Sequence, residues 1–120
     1  MKRKYKFFIQ DIMNAINDIE NFVGEMDFDT FCNDDKTRSA VVWKVETIGE
    51  ASKNIPGEVK AKYKQLPWKE IAGTRDKIAH FYFGIDYEIV WQIIKEELPN
   101  IKPIIKKMLD EIKEDDNFER

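Results

Sequence analysis

Apolar residues spaced at steps of three and four are the feature that most narrows what this chain can fold into. Over residues 5–23, Tyr5, Phe8, Ile9, Ile12, Ile16, Ile19 and Val23 make one stripe of a long helix whose reverse face is polar. No alternating period appears elsewhere, so strands are not expected and the core must come from packing helix on helix. Gly24 and Asp27-Phe28-Asp29 break the first helix. Asp34 and Asp35 then offer a cap to a second long one, with a stripe of Val41, Val45, Ile48 and Ile55 widened by Val42, Trp43 and Ala51, and a stop at Pro56-Gly57. A short lysine-rich helical segment follows over residues 58–65. Pro67 suits a first helical turn, and the next helix carries Trp68, Ile71, Ala72, Ile78 and Ala79 on one side before ending near Phe81-Tyr82-Phe83-Gly84. Asp86 caps a further helix with Tyr87, Val90, Trp91 and Ile94 inward. Leu98-Pro99-Asn100 separates it from a last one, which bears Ile101, Ile104, Ile105, Met108, Leu109 and Ile112. The expected fold is all-α, a bundle of four to five helices in a single domain over residues 1–120.

Composition bounds the function. With 120 residues, 42% hydrophobic and 36% charged, the chain can bury one core but not two. Its single cysteine, Cys32, excludes an internal disulfide framework and a Cys-rich zinc site, and it suits a reducing, cytoplasmic setting. The N-terminus begins like a signal peptide, but Gln10, Asp11 and Asn14 interrupt the apolar run, so no cleavable leader is expected. No stretch approaches the roughly 18 apolar residues that a bilayer demands. A net charge of -3 argues against a protein that coats nucleic acid by charge alone. The charge is unevenly spread, however. Residues 53–77 hold seven bases (Lys53, Lys60, Lys62, Lys64, Lys69, Arg75, Lys77) against three acids (Glu58, Glu70, Asp76), which marks either a solvated face or an anion-binding surface.

Four residues do not suit a plain bundle. On a continuous helix over residues 68–82, Arg75 falls in the middle of the apolar stripe. A guanidinium cannot shed its charge there, so it either pairs with a carboxylate, Glu46 or Glu50, or lines a cleft that an anion enters. His80, the only histidine, lies five residues on, about 140° around and roughly 7.5 Å along an unbroken helix. The two side chains converge only if the helix unwinds at Ala79-His80, if they reach around it, or if a second subunit brings its own pair. Asp76 precedes His80 by four residues and shares its face on such a helix, where it can orient the imidazole. Tyr82 returns to the side of Arg75 and adds a hydroxyl. Gly49, in mid-helix, costs about 1 kcal/mol relative to alanine and points to a close approach by another backbone or a ligand; Glu46, Glu50 and Lys53 share the polar face beside it.

Taken in order, Ile48-Gly49-Glu50-Ala51, Leu66-Pro67-Trp68, the Arg-x4-His-x-Tyr run of Arg75, His80 and Tyr82, and the stretch from Ile85-Asp86 to Val90-Trp91 resemble the HEPN superfamily, and within it the HepT-like toxins, across nearly the whole chain. The resemblance implies a metal-independent ribonuclease without cofactor, working as a homodimer with the motif residues of both subunits in one cleft. It also implies an MntA-type nucleotidyltransferase antitoxin that adenylylates Tyr82. Arg75 and His80 carry over as catalytic residues, Asp76 and Glu50 as supporting ones, and Lys69 and Lys77 are candidate RNA contacts. A rival reading makes the bundle non-catalytic, a binder of the nucleotidyltransferase or of nucleotide or RNA, with Arg75 paired to Glu46 or Glu50.

Overall fold

A computed structural model of the protein describes residues 2–80 and 84–119, with side chains over residues 5–79 and 84–112. Its elements in chain order are α1 (Lys2–Val23), α2 (Phe28–Asn33), α3 (Asp35–Lys53), α4 (Gly57–Lys62), α5 (Trp68–Ala72), α6 (Thr74–Ile78), the two-residue strands β1 (Ala79–His80) and β2 (Gly84–Ile85), α7 (Tyr87–Gln92) and α8 (Leu98–Glu119). The fold is all-α, as the periodicity demands, and three long helices carry it.

Helix α1 lies between the other two. It runs antiparallel to α3, with Asp18 on Lys44 at 2.9 Å while Phe8 and Asp11 share a groove with Ala51 and Asn54. It is also antiparallel to α8, with Lys102 on Glu20 at 2.7 Å and Tyr5 beside Met108 and Ile112. The stripe read from the sequence is the buried one: Ile9, Ile12, Ile16 and Ile19 are sealed between Val41, Val45 and Ile48 of α3 and Ile101, Ile105 and Met108 of α8. Each such side chain contributes about 1.5–3 kcal/mol through its removal from water. Phe31 of α2 closes one end, against Trp91 and Tyr87 at ring distances of 5.2 and 6.2 Å.

Capping aspartates begin three helices. Asp34 accepts the Thr37 N–H at 3.0 Å to start α3, Asp86 accepts those of Glu88 and Ile89 to start α7, and Asp27 accepts that of Thr30 to start α2. The third was not anticipated, because residues 27–29 read as an interruption.

Four expectations need correction. Trp43, placed on the widened α3 stripe, is 68% exposed. Helix continuity is broken between residues 68 and 82, where α5 and α6 are separate segments. Strands do occur, as an antiparallel pairing of Ala79 with Ile85 and His80 with Gly84. No break falls at Leu98-Pro99-Asn100; a π turn over Ile93–Glu97 joins α7 directly to α8. There the Leu98 N–H bonds to the carbonyl of Ile93, five residues back, and this shift of register carries the helix past a proline that has no N–H to give.

Candidate functional site

The site is built from the discontinuity after α5. Trp68 anchors the start of α5 by donating its indole N–H to the Tyr63 carbonyl at 3.0 Å. Gly73 then ends α5 and begins α6, with φ -88° and ψ 9°. Thr74 donates its hydroxyl to the carbonyls of Ile71 at 2.7 Å and Glu70 at 3.2 Å, satisfying groups that the interrupted helix leaves open. Thr74 and Ile78 are thereby the buried residues of α6, and Arg75, Asp76 and Lys77 are exposed. Arg75 is therefore not on the core face. It makes no ion pair among the described residues, and Glu50 instead engages Lys53 at 3.1 Å. The buried Arg75–Glu46 or Arg75–Glu50 pair is thus ruled out.

Helix α6 stops at Ile78. Ala79 is extended, at φ -88° and ψ 132°, and leads into the short pairing with β2, which the Asp86 N–H reinforces by donating to the Ile78 carbonyl at 2.7 Å. Gly84, opposite His80, has φ +82°, a conformation that a side chain would strain. The backbone unwinds at Ala79, which is the first of the three conditions under which Arg75 and His80 can converge. The 140° offset of a continuous helix no longer applies, and neither does the shared face that would let Asp76 orient His80. The His80 side chain, and the whole of Tyr82, lie outside the described residues.

The remaining candidates sit apart from one another. Lys69 is exposed on α5. Lys77 reaches across to Glu97 at 2.8 Å, so its charge is partly matched. That pairing was not legible in the sequence, since Glu97 lies 20 residues away on the π turn. Glu50 lines a groove between α1 and α3 with Phe8, Trp43 and Glu46, and no residue of α5 or α6 lines it. Gly49 is buried, and a Cβ there would lie 3.2 Å from the Ile71 carbonyl oxygen, so α3 and α5 meet backbone to backbone as its mid-helix position suggested. Among the described residues, no three His, Cys, Asp or Glu side chains are placed to hold a metal ion, and no helix is long and apolar enough to cross a membrane.

Known proteins identify the lineage. The family model described as ribonuclease HepT-like matches residues 12–108, spanning the core, the break and the π turn. The chain belongs to that family. Its HepT-like relatives include the probable ribonuclease HepT of Thermococcus cleftensis, 44% identical over 108 residues that cover 90% of this chain and 98% of that one. A candidate RNase of Methanocaldococcus jannaschii, MJ0125, is 43% identical over 94% of this chain and 97% of its own. A further candidate RNase, TTE0752 of Caldanaerobacter subterraneus, is 38% identical over 88% and 95% respectively. No solved structure matches.

Proposed function

We propose that this HepT-like chain is a metal-independent endoribonuclease, the toxin of a two-gene module in the cytoplasm. The observation that carries the reading is Arg75: a guanidinium presented to solvent without an acidic partner among the described residues, on the short helix whose end leads directly to His80. The family match and the names of its relatives support the coarser part of that reading, a ribonuclease.

RNA supplies its own nucleophile. The 2'-hydroxyl attacks the adjacent phosphorus, the P–O5' bond breaks, and a 2',3'-cyclic phosphate and a 5'-hydroxyl remain. The protein has to move one proton off the nucleophile, return one to the leaving oxygen, and stabilise charge on the phosphoryl oxygens. An imidazole, able both to take and to give a proton near neutral pH, suits His80 to the first two tasks, with general acid–base help typically giving 10²- to 10⁴-fold. Arg75 suits the last, through two parallel N–H donors. Lys69 adds positive charge for the RNA backbone, and Asp76 and Glu50 serve as supporting residues away from the reacting atoms.

Two further parts belong to the proposal. The active species is a homodimer, and the exposure of Trp43 at 68%, Phe7 at 63% and Phe22 at 40% supports association through apolar surface. An MntA-type nucleotidyltransferase silences the toxin by adenylylating Tyr82, which would crowd the cleft and set a competing phosphate beside Arg75. The test is cleavage of RNA by the purified protein in excess chelator, beside His80→Ala. We expect cleavage to persist in chelator and to fall by about 10²-fold or more in the variant; full activity in His80→Ala would remove that residue from the mechanism, and loss in chelator would overturn metal independence.

A further inference from the structure

Beside the break that presents Arg75 lies a cavity of about 280 Å³ that the cleavage chemistry leaves unused. Its walls are aliphatic: Ile48 and Ile71 on one side, Ile93, Leu98 and Ile101 on the other. Its polar residues are Gln65, Thr74, Glu97 and Asn100. Two of these are already committed, because Thr74 donates to the carbonyls of α5 and Glu97 holds Lys77. The groups left for a ligand are the carboxamides of Gln65 and Asn100, both on exposed residues and each carrying donors and an acceptor.

Aliphatic walls with two exposed carboxamides among the lining groups suit a ring that has apolar faces and a hydrogen-bonding edge. Charge narrows the choice further. Arg75 follows Thr74 by one residue, about 100° around and 1.5 Å along α6, and Lys69 lies on α5; both are exposed and neither has an ion pair among the described residues. Neither lines the cavity itself, but a ring-sized cavity with Thr74 on its wall, one residue before an unpaired guanidinium, fits a base joined to a phosphate better than it fits an uncharged apolar molecule. The π turn contributes Ile93 and Glu97 to the cavity, and such turns are frequent at functional sites.

We propose that this cavity receives one nucleobase of the RNA strand while an adjacent phosphate rests on Arg75, and so sets which base neighbours the cut. The cleavage half of this statement rests on the ribonuclease reading above; the binding half does not. The experiment is methyl NMR of the full-length protein, following Ile71, Leu98 and Ile101, titrated with AMP, GMP, CMP, UMP, ribose 5-phosphate and octanoate. Nucleotides should shift these methyl signals and one base should bind best, whereas ribose 5-phosphate should leave them in place. Asn100→Ala, at an exposed position, should weaken the preferred nucleotide about fivefold to tenfold, the loss of one neutral hydrogen bond. A larger side chain at Ile104, which also lines the cavity, should fill it in Ile104→Trp and abolish the shifts. Equal shifts from ribose 5-phosphate, shifts from octanoate alone, or no shift from any nucleotide would each overturn the proposal. RNA cleavage without nucleotide shifts would sink the cavity and spare the nuclease; nucleotide binding in a protein that cuts no RNA would do the reverse.

Discussion

Thr74 donates its hydroxyl to two carbonyls at the end of α5, which turns its own side chain inward and leaves the next residue, Arg75, on the surface. One polar atom thus decides whether a permanent charge is desolvated or available. Asp34 acts on the same scale. Its carboxylate accepts the Thr37 N–H, and this hydrogen bond, aided by the Thr37 side chain and by Lys36 and Arg38, holds the carboxyl below its ordinary value of 3.8. A carboxyl whose pKa is lower in the folded state stabilises fully above its unfolded value, and the contribution is lost as the pH falls through 3.8 towards the folded value. Asp34→Ala should therefore unfold at lower temperature than the parent at pH 6, and the gap should narrow as thermal scans descend to pH 3. A gap that stays constant with pH would show that the charged cap contributes nothing.

Elements differ in how far they can be read from their own residues. The stripes of α1, α3 and α8 are legible because each helix buries one face along most of its length, and burial of Ile9, Ile16 or Ile105 outweighs local preference. Shorter segments depend on partners elsewhere. The split of residues 68–78 comes from hydrogen bonds at Gly73 and Thr74, and the passage of the chain through Pro99 comes from a π turn held by the burial of Ile101 and Ile105 beyond it. Gly49 tests how closely α3 carries α5. An added methyl would gain about 1 kcal/mol of helix propensity but would press at 3.2 Å on the Ile71 carbonyl, an oxygen already fixed by Thr74 at 2.7 Å. Gly49→Ala should be a net loss of about 1 kcal/mol, a melting temperature lower by about 4 °C in calorimetry, because α5 cannot retreat without breaking that bond. An unchanged or raised melting temperature would mean that α5 yields freely.

For the whole molecule, α1, antiparallel to both α3 and α8, holds a core to which Arg75 does not contribute; that residue stands exposed on α6, just before the chain changes to extended backbone. The singling out of Arg75, Gly49 and the caps Asp34 and Asp86 followed from local arithmetic. The exposure of Arg75 and the Lys77–Glu97 bridge did not, since both depend on how separate segments meet. The roles proposed for His80 and Tyr82 come from resemblance to the HepT-like family, to which the chain belongs. On the proposed reading, Arg75 is kept for an anion that comes from outside and not for the fold. Arg75→Ala tests it most directly, with melting temperature and RNA cleavage measured on the same preparation. An exposed, unpaired side chain should change stability by no more than about 0.5 kcal/mol, so the melting temperature should stay within about 3 °C, while cleavage should fall by about 10²- to 10³-fold. A variant that unfolds, or one that cuts RNA as fast as the parent, would contradict the account.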